Sequence, residues 1–171
     1  MLEMIQSIQG LIHTIAGLFA LVTGTLVLFL KKGTRLHIKI GYVYVISMVI
    51  LLVSSFMIYR LFDAWGLFHY ASLVSSITVL LGMLPPIFLK HKSYWLRLHF
   101  TAMYWSVIGL WSAFVAEMSV RIPETSFMWM VGAAFGLVLL IGIIIFAVKK
   151  KSWINWSKAF IGNFSPSKSD S

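Results

Sequence analysis

The sequence predicts an all-α fold, a polytopic membrane protein built as one bundle of five transmembrane helices, and three observations support this class. Of the 171 residues, 60% are hydrophobic and only 11% are charged, whereas about a quarter of the residues in a soluble domain carry a charge. Five apolar runs each approach the roughly 20 residues that a helix needs to cross the hydrocarbon core. These runs also lack the alternation that is typical of barrel strands, so each is predicted to be a helix whose backbone polar groups are satisfied internally.

The predicted helices follow one another through short connections, so that neighbouring helices are antiparallel. Their approximate limits are residues 8–30, 36–59, 67–89, 98–120 and 127–148. Pro85 and Pro86 lie near the end of the third run and are expected to end or kink that helix, because proline lacks a backbone N–H. The five helices are predicted to form one domain over residues 1–162. The polar, Ser-rich segment 163–171 is predicted to be a disordered cytoplasmic tail.

Basic residues are concentrated in the first connection, in the third connection and after the fifth apolar run. They are Lys31, Lys32, Arg35, Lys39, Lys90, Lys92, Arg97, Lys149, Lys150 and Lys151. The positive-inside rule therefore predicts an N-terminus outside and a C-terminus in the cytoplasm. The net charge of +9 is interpreted as this orientation signal. Its expected partner is the lipid bilayer with its anionic headgroups, and not a nucleic acid.

Four consecutive predicted helices each carry one histidine, and the histidines alternate between the two ends of the bundle. His13 and His69 lie at the outer ends of the first and third helices, and His37 and His99 lie at the inner ends of the second and fourth. In a compact bundle, helices two apart can face each other across the centre. Two facing imidazoles at one depth are the ligand set of a six-coordinate b-type haem. The fifth histidine, His91, belongs to a solvated basic loop.

The residues around the inner histidines suit such a cofactor. Arg35, Lys39 and Arg97 are predicted to pair with the haem propionates. Gly17 and Gly41 each follow a histidine by one turn and would give a flat ring room to approach the backbone. Two haem sites, one near each face, predict transmembrane electron transfer, with a quinone or a small reductant as the reaction partner. The alternative is that the histidines are interfacial side chains and that the glycines serve helix packing.

Glu117 offers a second chemical interpretation at the outer end. A carboxylate inside the membrane is costly unless it is paired, so the simplest account is an ion pair with Arg121, four residues later. If Glu117 instead turns toward His13 and His69, the three side chains form a two-histidine, one-carboxylate set for zinc or iron. Such a set would suit a metal-dependent membrane hydrolase, or a non-redox scaffold or binding protein with a structural metal.

Other enzyme signatures are missing from the sequence. No cysteine is present, which excludes disulfides and cysteine-based metal sites, and no Gly-rich phosphate loop, HExxH or GxSxG motif occurs. The serines inside the apolar runs are interpreted as interhelical hydrogen-bonding residues. Whether the protein is an enzyme, and whether it forms an oligomer, stays open.

The motif His13-x-x-x-Gly17, the stretch "KGTRLHIKIGYVYV", His69 at a helix start and Arg97-x-His99 together resemble a bacterial membrane-protein family, the domain of unknown function family 2306. The resemblance covers roughly residues 8 to 125. It implies a small polytopic bundle in the bacterial inner membrane and brings no established activity.

The most specific part of this resemblance lies between Lys32 and Tyr44, where the family typically reads Lys-Gly-Thr-x-x-His-x-x-x-Gly-x-x-Tyr. The family often has a second basic residue directly after the histidine, whereas here Ile38 takes that place and Lys39 follows. In architecture the chain is also similar to the cytochrome b561-type bundles. Histidines on four successive helices of those bundles pair by alternate helices and hold two haems.

Overall fold

The computed structural model describes residues 8–57, 66–119 and 127–162, and within these ranges the chain forms five helices and no strand. The helices are α1 (Ile8–Phe29), α2 (Arg35–Met57), α3 (Leu67–Phe88), α4 (Trp95–Ser119) and α5 (Phe127–Gly162). All five are long and apolar enough to cross a membrane. The predicted all-α bundle of five transmembrane helices is therefore confirmed.

The observed helix ends follow the predicted apolar runs closely, with one difference at α5. This helix continues to Gly162, whereas the apolar run stops at Val148. Lys149, Lys150 and Lys151 end the hydrophobic run without ending the helix, because lysine is a good helix former. The predicted tail, residues 163–171, lies outside the described residues.

Pro85 and Pro86 lie inside the last turns of α3, and the helix continues past them to Phe88. The backbone N–H of Leu89 donates to the carbonyl of Pro85 at 2.9 Å and closes the final turn. The prolines therefore leave the helix intact up to its last turn. They also remove two backbone donors that would otherwise bond to carbonyls one turn earlier.

Helices α1 to α4 form a closed ring in which each helix packs against its two neighbours, and α5 packs against the outside of α4. The diagonal pairs are α1 with α3 and α2 with α4. No Cα atom of α2 lies within 8 Å of a Cα atom of α4 over the described lengths of these helices. Helices two apart in the chain therefore face each other across the centre, as predicted.

The centre of the ring is filled by side chains from all four helices. The buried core consists of Ala20, Leu21, Tyr44, Met48, Leu52, Val79, Met103, Val107 and Leu110. Large apolar side chains are exposed over the outer surface, especially on α1, α2, α3 and α5. An aqueous protein rarely exposes apolar surface of this extent, so lipid is the medium that covers it.

Polar side chains link the helices at several levels of the bundle. The Trp111 indole N–H donates to Thr25 Oγ1 at 3.0 Å and joins α4 to α1. Ser55 donates to Ser72 at 2.8 Å and joins α2 to α3. The Tyr104 hydroxyl donates to the Gly142 carbonyl at 2.8 Å and joins α4 to α5. In a medium without water, these bonds fix the register of helices whose apolar surfaces are otherwise alike.

Candidate functional site

The register of the diagonal helices α2 and α4 is fixed by a buried hydrogen bond. The hydroxyls of Tyr44 and Ser106 lie 2.7 Å apart, and both residues are almost fully buried, with exposed fractions of 0% and 1%. The two residues are 62 positions apart in the chain. Because α2 and α4 run in the same direction, every pair with this separation lies at about the same level.

The inner histidines obey the same register. His37 precedes Tyr44 by seven residues, and His99 precedes Ser106 by seven residues. Seven residues are almost two helical turns, so each histidine lies on the same face as its partner, about 10 Å along the axis. His37 and His99 are also close enough for the charge of one ring to act on the other. The structure therefore brings these two residues to one level on facing sides of the bundle.

The His99 ring is oriented by a backbone carbonyl of α3. Its Nδ1 lies 2.6 Å from the carbonyl oxygen of Gly82, and since a carbonyl only accepts, Nδ1 carries the proton. This carbonyl is available because Pro86, four residues later, has no N–H to bond with it. The neutral ring then keeps its lone pair on Nε2. A histidine that ligates a metal usually donates its other N–H to a carbonyl or a carboxylate in this way.

His37 contributes a buried nitrogen that has no partner among the described residues. Its Nδ1 is inaccessible to solvent and makes no hydrogen bond, and an unsatisfied buried polar atom costs roughly 1–3 kcal/mol. One turn further along α2, a Cβ added at Gly41 would meet no atom within 4 Å. The structure thus leaves one buried nitrogen of His37 without a partner among the described residues, and no atom against the Cβ position of Gly41.

Lys32 completes the surroundings of this pair. Its ammonium donates to the carbonyls of Val27 and Leu28, at 2.7 Å each, and so caps the end of α1. Burial lowers the pKa of Lys32 from its ordinary value. Its charge also acts on both His37 and His99. The inner site is therefore two imidazoles beside one partly buried cation, a combination that suits a group with a negative substituent.

Among the three cations predicted to hold propionates, Arg97 lies apart from Arg35 and Lys39. Arg35 and Lys39 are exposed at the start of α2, and each lies two residues from His37, about 200° around the helix. Arg97 is likewise two residues from His99. It lines a separate cavity between α4 and α5. Lys32 is the cation whose charge acts on both rings.

At the opposite end of the bundle, His13 is held by α2. Its Nδ1 lies 3.0 Å from Ser54 Oγ, and the Ser54 hydroxyl donates its own proton to the Leu51 carbonyl at 2.8 Å. The His13 nitrogen is therefore the donor, which leaves the lone pair on Nε2. Glu117 lies close enough for its charge to act on this ring.

His69 is oriented differently from the other helix-borne histidines. Its Nδ1 accepts the backbone N–H of Gly66 at 3.2 Å and helps to cap the start of α3. A neutral ring that accepts at Nδ1 carries its proton on Nε2, so that nitrogen offers no lone pair to a metal. This bond would have to break before His69 could join His13 as an axial ligand.

Of the three residues predicted to form the outer metal set, His13, His69 and Glu117, the structure brings only His13 and Glu117 near each other. Over residues 8–57, 66–119 and 127–162, no three His, Asp or Glu side chains form a group that could hold a metal ion. Arg121, the alternative partner of Glu117, lies outside the described residues. The metal set stays a prediction.

Three features of the inner site were not singled out from the sequence: the cation Lys32, the Tyr44–Ser106 bond and the role of Pro86. Two of them leave a signal that could have been found. His37 and His99 are separated by 62 residues, as are Tyr44 and Ser106, and Gly82 precedes Pro86 by the four residues that free a carbonyl. Lys32 is distinguished from the neighbouring Lys31 only by the family resemblance, because the motif quoted for it begins at Lys32.

A comparison of the chain with protein-family models, with curated proteins and with solved structures finds no match. Function is therefore inferred from the arrangement of the side chains.

Proposed function

We propose that this membrane protein binds a b-type haem between His37 and His99 and transfers electrons at the basic end of the bundle. A haem with two imidazole ligands accepts and releases one electron without changing its ligands. The observation that carries the proposal is the match in level and face of the two rings, together with the bond from His99 Nδ1–H to Gly82, which leaves the lone pair on Nε2.

Four parts of the chain would each contribute to binding the haem. Gly82 holds the His99 ring by its Nδ1–H, so that Nε2 is presented for ligation. The open space beside Gly41 admits part of a flat ring. Lys32 supplies positive charge for a propionate and balances it inside a partly buried site. The buried Tyr44–Ser106 pair closes the site on the side of the membrane centre.

We propose one haem at the inner end of the bundle, and none at the outer end, in place of a relay of two haems. The tautomer of His13 suits a ligand, whereas that of His69 does not. A single haem near one face fits electron exchange with a quinone or a small reductant on that side. The resemblance to family 2306 and the likeness to two-haem bundles stay predictions, and they agree with this proposal in architecture alone.

The test is the absorption spectrum of the full-length protein, purified after expression with haem supplementation. We expect red protein with about one haem per chain and a Soret band that shifts on reduction with dithionite. His37→Ala and His99→Ala should each abolish the band. His91→Ala is the matched control, because this exposed histidine lies in a loop, and it should keep the full haem content.

Other outcomes would change the proposal. Two haems per chain, with one lost in His69→Ala, would restore the two-haem relay. Colourless protein with stoichiometric zinc or iron that is lost in Glu117→Gln would favour the outer metal set, for which the approach of Glu117 to His13 is the supporting observation. Colourless and metal-free protein would leave a non-redox scaffold.

A further inference from the structure

A cavity of about 200 Å³ lies between α4 and α5 at the basic end of the bundle. Arg97 and Lys150 line it from opposite helices, and Phe100, Trp153 and Trp156 supply aromatic surface. The cavity is separate from the histidine pair, because Arg97 and His99 point to different sides of α4. The proposed haem therefore does not account for this cavity.

The two cations of this cavity have no carboxylate near them in the described part of the chain. Within residues 8–57, 66–119 and 127–162 the only acidic side chain is Glu117. It lies 20 residues after Arg97 on α4, about 30 Å away along the helix axis. Two positive side chains at one cavity repel each other, and an anion bound between them would relieve this repulsion. No described residue in the lining of the cavity supplies that anion.

Part of the cavity wall is an aromatic cluster of Phe100, Phe146 and Trp153. The Phe100 and Trp153 rings pack edge to face with their centroids 4.5 Å apart, and Trp153 also contacts Phe146 at 5.8 Å. Rings that pack edge to face in this way offer an apolar surface to a hydrocarbon chain. The cavity therefore combines a positively charged part with an aromatic wall, which is the composition that an anionic amphiphile requires.

The position of the cavity along α5 agrees with this. Lys150 lies where the apolar run of α5 ends and the polar stretch begins, and Phe146 lies one turn toward the apolar side. This boundary is the level at which the phosphates of a bilayer leaflet meet its acyl chains. Basic pockets between transmembrane helices on the cytoplasmic side are known to bind anionic headgroups.

We infer that this cavity binds the phosphate of an anionic phospholipid, with Arg97 and Lys150 as its ligands. The aromatic cluster of Phe100, Phe146 and Trp153 would contact an acyl chain of the same lipid. The guanidinium of Arg97 can hold two phosphate oxygens at once. The inference does not rest on the haem, since none of these residues belongs to the histidine site.

Native mass spectrometry of the full-length, delipidated protein tests the inference, with phosphatidylglycerol and phosphatidylcholine as the probes. Phosphatidylglycerol should bind more tightly than phosphatidylcholine. The double variant Arg97→Gln/Lys150→Gln should weaken its first binding constant roughly tenfold, because each cation near a membrane surface contributes to anionic lipid binding. Lys149→Gln/Lys151→Gln removes the same charge from two positions of α5 that do not line the cavity and should bind like the wild type.

An equal loss in both double variants would overturn the inference, since it would mean that surface charge alone attracts the lipid. The absence of any preference for phosphatidylglycerol in the wild type would overturn it as well. Glycerol phosphate and inorganic phosphate are the competitors that identify the source. If millimolar concentrations of either displace phosphatidylglycerol completely, a free phosphate is the ligand and the lipid assignment is wrong.

Discussion

The direction of the His99 ring depends on a proline in a neighbouring helix. Pro86 cannot donate to the Gly82 carbonyl, and His99 Nδ1 takes the place of that donor at 2.6 Å. A kink-prone residue near a helix end is usually considered for its effect on the backbone. Here its consequence is chemical, because it fixes which nitrogen of a histidine carries the proton.

Restoring the missing N–H should therefore disturb the ring. In Pro86→Ala the new backbone N–H competes for the Gly82 carbonyl, and because a neutral hydrogen bond contributes about 1 kcal/mol, we expect the ratio of Nδ1–H to Nε2–H tautomers of His99 to fall by up to about fivefold. The ¹⁵N shifts of labelled histidine in detergent micelles measure this ratio. Pro85→Ala is the control, since it restores a donor to Leu81 instead. An unchanged ratio in Pro86→Ala would show that the proline does not orient the ring.

At the scale of the helices, close contact between α1 and α2 depends on Gly24. A Cβ added there would lie 2.7 Å from the ring of Tyr44 and 3.2 Å from Val107. Tyr44 cannot move aside without losing its bond to Ser106. The small residue in α1 thus lets the aromatic ring of α2 reach the centre of the bundle.

The substitution Gly24→Ala should for this reason destabilise the bundle by about 1–3 kcal/mol, as overpacking of a core does. Gly136→Ala is a matched control on α5, where an added Cβ meets nothing within 4 Å. It should be neutral or slightly stabilising, because alanine is the better helix former. Unfolding in mixed micelles with increasing dodecyl sulfate measures both free energies. Equal stability of the two variants would mean that Tyr44 is not held as tightly as described.

For the whole molecule, the distribution of basic residues defines one end of the bundle. The α1–α2 and α3–α4 connections and the last part of α5 meet at this end. A Cβ at Gly33, which has a φ of 78°, would lie 3.2 Å from the ring of Phe160. Both the His37–His99 pair and the cavity between α4 and α5 lie near this basic end. The orientation of the bundle therefore decides which compartment each site faces.

We predict that the basic end faces the cytoplasm, because lysine and arginine near the ends of short loops are retained on that side. Green fluorescent protein fused after the last residue should fluoresce, and alkaline phosphatase fused there should be inactive. The control replaces Lys31, Lys32, Lys90 and Lys92 with glutamine, which should weaken or invert this result. Active phosphatase on the unchanged chain would place both sites on the outer side.

The sequence by itself determined the number of helices, their order, their approximate ends and the charge difference between the two ends. It could do so because in lipid the length of an apolar run and the positions of its flanking charges are the main constraints. The pairing of helices two apart was also predictable, and the described bundle has that arrangement. The match between His37 and His99 follows from this arrangement and from a separation of 62 residues that the sequence already contains.

The tertiary structure alone decided which face of each helix points inward. The runs are apolar on all sides, so no periodicity marks the inner face of α4, and Arg97 could be assigned to the same site as His99 although the two lie on different faces. The proton position of His13 depends on Ser54, which is distant in sequence but close in space. That of His69 depends on the backbone N–H of Gly66 at the start of α3. The continuation of α5 past its lysines brings Trp153 against Phe100 of α4. The inner faces and the proton position of His13 are set by contacts between helices, which hydrophobicity does not specify, whereas the proton position of His69 is set by the cap of its own helix.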